Sequence, residues 1–270
     1  MPLRDCFLLL FLLSAPAMAQ DAPVESVQVI GRHTLAGMWK IHFPSGIPLS
    51  IPLVIRGALG EEDAFCRMDD SREDLAVSCL PWHGNGTGSF TDGQLHMAWG
   101  VWAFRFVIDA PISTATAFTG SYRLKVLGDS HDAPTPATGT KLAPNATTPD
   151  VPGQGPVLLA CLKDIAAGTA PPLDDITRKS FGQSFGGPPA TTVAALQGLG
   201  APVQALYLGA STPPKIPPPP PGTRPDDRNN ARFRFFRAAF NIYDVEFAGG
   251  QQRLCGVYAG ADGKVNVLCV

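Results

Sequence analysis

Gly182-Gln183-Ser184-Phe185-Gly186 is the one stretch of the sequence with a catalytic spacing. It fits G-x-S-x-G, in which a sharp strand-to-helix turn exposes a serine nucleophile. The flanks do not supply that setting. Asp174 to Lys179 is too polar for a central strand, and Gly187-Pro188-Pro189 stands where the helix must run. The hydrolase order also places a histidine after the serine, and the last histidine is His131. We therefore read 182–186 as a glycine-serine loop. His33, His42, His83, His96 and His131 show no H-x-x-x-H spacing, and the cysteines show no C-x-x-C. No glycine-rich phosphate loop follows a strand. Asp69-Asp70 with Glu73-Asp74 lacks the alternating carboxylates of a calcium loop and reads as a solvated turn. The expectation is no catalytic residue, no metal and no cofactor, and the reading leans away from an enzyme.

What remains is aromatic, basic and sulfur chemistry. The chain of 270 residues carries a net charge of −2, and 16% of its residues are charged. That balance argues against a nucleic-acid or anionic-membrane partner, which selects a strongly basic surface. One local exception is Arg224 to Arg237. There Arg232 and Arg234 alternate with Phe233 and Phe235, as on an exposed strand. Arg228, Arg232, Arg234 and Arg237 form either a charged edge that discourages aggregation or a docking surface for an acidic partner.

The start of the chain reads as a secretory leader over residues 1–19. Arg4 is its charged start, Cys6 to Leu13 its apolar run and Ala17-Met18-Ala19 its cleavage site. That run is too short to span a bilayer. The expected location is the periplasm or the exterior, where cysteines pair. Removing the leader leaves Cys66, Cys79, Cys161, Cys255 and Cys269. Cys66 and Cys79 flank a polar turn between strand-like runs. Cys255 and Cys269 flank Asp262-Gly263, a strong hairpin signal. The expected bridges are Cys66–Cys79 and Cys255–Cys269, with Cys161 free.

The elements that position these residues are mainly strands. The period from Val27 to Val126 is two. Trp39, Ile41 and Phe43 alternate with Met38, Lys40 and His42. Leu95, Met97 and Trp99 alternate with His96 and Ala98. Trp102, Phe104, Phe106 and Ile108 alternate with Ala103, Arg105 and Val107. Turn residues such as Asp92-Gly93 and Gly57 to Asp63 separate the runs. About eight strands through Val126 can just close around side chains or one small ligand. From Gly128 to Pro156, prolines and few large apolar residues read as a connector. Leu158, Cys161, Leu162 and Ile165 then share one helix face that Gly168 ends. Pro217 to Pro221 reads as a polyproline spacer. The fold class is mainly β: an antiparallel meander or small barrel over 27–127, a Pro-rich, partly helical connector over 128–225, and a β-rich segment over 226–270. That last segment ends in a hairpin and is placed to join the same sheet.

Gly37-Met38-Trp39 opens the first strand and resembles the G-x-W of the calycins, the lipocalin-like barrels. Phe118-Thr119-Gly120-Ser121-Tyr122 is similar to strands of small barrels of that kind. The resemblance covers about residues 27–127 and implies that the tryptophan closes one barrel end under a basic residue of the last strand, here Arg123 or Lys125. The leading expectation is an exported, non-enzymatic protein that binds a small apolar or amphipathic ligand. Its expected lining is Trp39, Trp99, Trp102, Phe104 and Tyr122. The alternative is an accessory or structural subunit of an envelope complex.

Overall fold

The computed structural model describes residues 30–44, 48–51, 55–58, 62–70, 74–80, 84–101, 104–126, 129–143, 149–169, 194–211, 239–259 and 265–270. The stretch read as a leader at 1–19, the G-x-S-x-G stretch at 182–186, Trp102, Pro217–Pro221 and Arg228, Arg232, Arg234 and Arg237 lie outside these residues.

A short helix α1 (Arg32–Leu35) leads into β1 (Gly37–Phe43). A small hairpin of β2 (Pro48–Ile51) and β3 (Ile55–Ala58) follows. Then come β4 (Glu62–Asp70), β5 (Leu75–Leu80), β6 (Gly84–Thr91), β7 (Gln94–Val101), β8 (Phe104–Pro111), β9 (Ala117–Val126) and β10 (Asp129–Lys141). Strands β1 and β4 to β10 pair antiparallel with their sequence neighbours, and β10 returns to β1. The result is a closed eight-stranded barrel, in which no strand of the set keeps a free edge.

The period-two pattern decides what faces inward. Trp39, Ile41 and Phe43 of β1, Ala64, Cys66 and Met68 of β4, and Leu95, Met97 and Trp99 of β7 meet in one buried cluster. Phe106, Ile108 and Ala110 of β8 and Phe118 and Tyr122 of β9 complete it. The alternate residues His42, Asp63, Arg67, His96, Asp109 and Arg123 face outward and pair with one another or with neighbours. Apolar inside and polar outside is the reverse of a lipid-embedded barrel. No helix among the described residues is long and apolar enough to cross a membrane. Asp92 (φ 51°) and Gly93 (φ 75°) make the β6–β7 turn, the two left-handed residues that a tight hairpin demands.

One expectation is corrected here. Residues 129–141 are not connector but the eighth barrel strand, so the barrel extends past 127. The β2–β3 hairpin stands outside the barrel ladder. The count of eight survives, but the membership changes. Small residues on β10 have a packing reason. Gly139 lies against Phe118 so closely that a Cβ there would fall inside the ring.

Beyond the barrel, α2 (Gly155–Ala167) ends at Gly168, whose φ of 72° provides the left-handed cap. Leu158, Leu162 and Ile165 are buried on its inner face, as their spacing predicts. Strands β11 (Pro202–Ala210), β12 (Asn241–Phe247), β13 (Gln252–Ala259) and β14 (Val265–Cys269) form an antiparallel sheet in that order. Its two faces are both used. Tyr243, Val245, Phe247, Val257 and Val267 pack on α2. Ile242, Leu254, Tyr258 and Leu268 pack, with Phe240, on Phe65 and Leu80 of the barrel wall. The C-terminal strands therefore form a separate sheet laid on the barrel, not an extension of the barrel ladder. Arg67 ties the two together, donating to Asp69 (2.8 Å), Asp244 (3.2 Å) and Gln252 (2.7 Å).

Both expected disulfides are present. Cys66–Cys79 and Cys255–Cys269 each join directly opposed residues of one hairpin, β4–β5 and β13–β14. Cys161 is a free, half-buried thiol on α2. Burial, and then the charge of Asp164, push its pKa up, away from the thiolate form that reacts.

Candidate binding site in the barrel lumen

One end of the barrel is closed by its own chain. Trp39 Nε1 donates to Leu35 O (2.8 Å), and Lys141 Nζ donates to Thr34 O (2.6 Å). Trp39 and Lys141 are direct partners in the β1–β10 ladder. The last carbonyls of α1, which a helix end leaves open, thus receive side-chain donors and hold α1 against the barrel. Phe118 packs beside Trp39, with ring centroids 5.5 Å apart.

The basic residue opposite Trp39 is therefore Lys141, not Arg123 or Lys125. Those two face outward from β9. Arg123 pairs with Asp109, which also takes His96 Nδ1 (2.6 Å). Burial works to raise the Asp109 carboxyl, but these two partners outweigh it and hold it below its usual range. Lys141 is itself pushed down by burial.

The opposite half of the lumen carries polar groups in an apolar wall. Glu62, the first residue of β4, is fully buried and pairs with Phe43 at the end of β1. It is in phase with Ala64, Cys66 and Met68, so its carboxyl faces the lumen. Tyr122 is buried and lies against Phe43, with ring centroids 4.8 Å apart and planes at 73°. Burial, with the nearby charge of Glu62, pushes its phenol well above the usual value, and a hydrogen bond with Thr135 opposes the shift in part. Trp99 is 1% exposed and stacks on Phe106, centroids 5.5 Å apart and planes 14° from parallel. Among the described residues, its buried Nε1–H meets no acceptor. A buried indole N–H normally finds one.

The lining predicted from sequence divides accordingly. Trp99 and Tyr122 lie together in this half of the lumen. Trp39 belongs to the closed end, where its N–H is used by α1. Phe104 is placed by its backbone in β8, opposite Val101 and Val126, while Trp102 and the four arginines lie outside the described residues. Sequence reading put Phe43 and Phe106 in the alternating phase of their strands without naming them as lining, and it missed Glu62. Glu62 sits in Glu61-Glu62-Asp63, which resembles a turn. The phase of Ala64, Cys66 and Met68, extended back by one step, is the signal that places it inside.

No cluster of three or more His, Cys, Asp or Glu suited to a metal ion occurs among the described residues. His42 and Lys40 both meet Asp63 on the outer wall, at 2.9 and 3.0 Å, as a surface ion-pair set. No protein family matches the sequence, and no curated protein is significantly similar to it.

Proposed function

We propose that the chain is an exported, non-enzymatic binding protein of calycin-like architecture, whose barrel lumen holds a small apolar or amphipathic ligand. The observation that carries this reading is the grouping of Glu62, Tyr122 and Trp99 inside an otherwise apolar, one-end-closed barrel. Trp99 Nε1–H is buried and meets no acceptor among the described residues, and such a donor costs free energy that a core selected for stability alone disfavours. A binding lumen requires such groups, because a few placed polar groups orient a ligand held by apolar contact. The two disulfides, Cys66–Cys79 in the barrel and Cys255–Cys269 in the sheet, support an oxidising compartment.

The test is to purify the protein from its native envelope without detergent, extract it with organic solvent and analyse the extract by mass spectrometry. The reading predicts an apolar small molecule near one per chain. An extract matching that of a control protein, together with failure of apolar probes to bind, contradicts it.

A further inference from the structure

Arg105 of β8 and Lys125 of β9 are direct partners in the barrel ladder, and both are exposed. They are out of phase with the buried Phe106 and Tyr122, so both side chains leave the outer face. Their ladder neighbours on either side are Gly100 and Ser130, which bring no carboxylate. Like charges directly opposite on an antiparallel pair work against the sheet. Asp109, the acid on the outer face of β8, already takes Arg123 and His96. The other lysines and arginines of the eight ladder strands have partners: Lys40 meets Asp63, Arg67 meets Asp69 and Asp244, and Lys141 meets Thr34 O. Among the described residues, Arg105 and Lys125 meet neither a carboxylate nor a carbonyl.

Their place in the fold is as specific as their charge. Arg105 is the second residue of β8 and Lys125 the second from the end of β9, so both stand at the rim opposite the end that α1 closes. We propose that the ligand is an anionic amphiphile, a carboxylate or phosphate ester with an apolar tail, whose oxyanion head Arg105 and Lys125 hold at this rim while the tail lies in the lumen. This inference rests on the lumen being the binding site. One residue, a rise of about 3.3 Å, separates each cation from its strand end, less than the length of an extended lysine or arginine side chain. The head therefore stays in water at the rim, and its charge is not buried in the apolar lumen. The guanidinium offers paired donors to a carboxylate or phosphate, and the ammonium adds a second positive charge. An oxyanion between them replaces one repulsion with two attractions.

Displacement of N-phenyl-1-naphthylamine from the purified protein by decanoate and by 1-decanol, at about pH 8, tests the inference. The two competitors share a tail, and only decanoate carries a charge. In about 0.02 M salt, decanoate should bind at least fivefold more tightly than decanol. The gap should shrink in about 0.5 M salt, where exposed charges are screened. Arg105→Gln/Lys125→Gln should weaken decanoate about fivefold and leave decanol unchanged. Lys163→Gln, at an exposed position of α2, should change neither. Acetate at the concentration of decanoate should leave the gap intact, because a head without a tail has only two exposed pairs to hold it. Acetate that closes the gap assigns the pair to free anions and overturns the anchoring of a ligand head. Decanol equal to or tighter than decanoate in low salt, or a double variant that keeps the gap, also overturns the head assignment and leaves the lumen reading standing. A probe that does not bind overturns both. The gap and its salt dependence are read on the unaltered protein, so the inference stays testable if a variant misfolds.

Discussion

Trp39 and Lys141 face each other across β1 and β10, and each closes on a neighbouring carbonyl of α1. One side chain supplies an indole N–H and the other an ammonium, so the start and end of the barrel are joined at the same point as the closing helix.

Lys141→Met keeps the aliphatic stem but removes the donor to Thr34 O. The expected cost is about 1–3 kcal/mol, because a part-buried carbonyl loses a charged partner. Lys125→Met, on the exposed outer face of β9, should stay within about 0.5 kcal/mol. Urea unfolding of the two variants separates them. Equal effects would refute Lys141 as the closing residue.

Arg67 is the polar tie between barrel and sheet, and Asp244 on the sheet is mostly buried beside it. Burial pushes the Asp244 carboxyl up, against the pull of Arg67. Arg67→Met leaves that carboxyl without its cation and should cost about 1–3 kcal/mol. The combined variant Arg67→Met/Asp244→Leu should recover part of the loss. Additive losses in a double-mutant cycle would show that the pair is not coupled.

Tyr243 donates to Asp150 Oδ1 (2.8 Å), whose other oxygen accepts from Gly155 N–H (2.8 Å) at the start of α2. Tyr243→Phe should loosen the N-terminal turn of α2 and cost about 1 kcal/mol. Hydrogen exchange of the first amides of α2 should quicken, while barrel amides stay protected. Exchange that is unchanged at α2 contradicts the assignment.

High pH should unfold the protein through its buried phenols. Tyr122 and Tyr243 are both raised well above their ordinary value, mainly by burial. The unfolded chain loses these protons near pH 10, whereas the folded chain keeps them. Their contribution is therefore complete below about pH 10 and is lost as pH rises through the raised folded values. Phenolate absorbance should lag in native buffer and appear near pH 10 in urea. Superimposed curves contradict the burial of these side chains.

Much of this architecture is written in period-two alternation. Trp39, Ile41 and Phe43, or Leu95, Met97 and Trp99, announce inward faces because a barrel wall has one dry side. The cysteine pairs were legible for a local reason, since each flanks a hairpin short enough to set its own register. Strand β10 was not legible. Pro134 and Pro136 mimic a linker, and its inward positions are the small Ala137 and Gly139, because Phe118 takes the space a larger residue would fill. A strand whose role is to make room carries no hydrophobic signal. The lumen aromatics Trp99 and Tyr122 followed from phase, but Glu62 did not. A buried acid breaks the pattern used to find buried residues. The closing lysine was missed with β10, for the same reason.

The most direct measurement is a fluorescence titration of the purified protein with N-phenyl-1-naphthylamine, an apolar probe that brightens out of water and accepts energy from tryptophan. The account predicts saturable binding near one probe per chain, quenching of tryptophan emission, and displacement by 1-decanol. A linear, unsaturable rise with no quenching would contradict it and leave the lumen as a packed core.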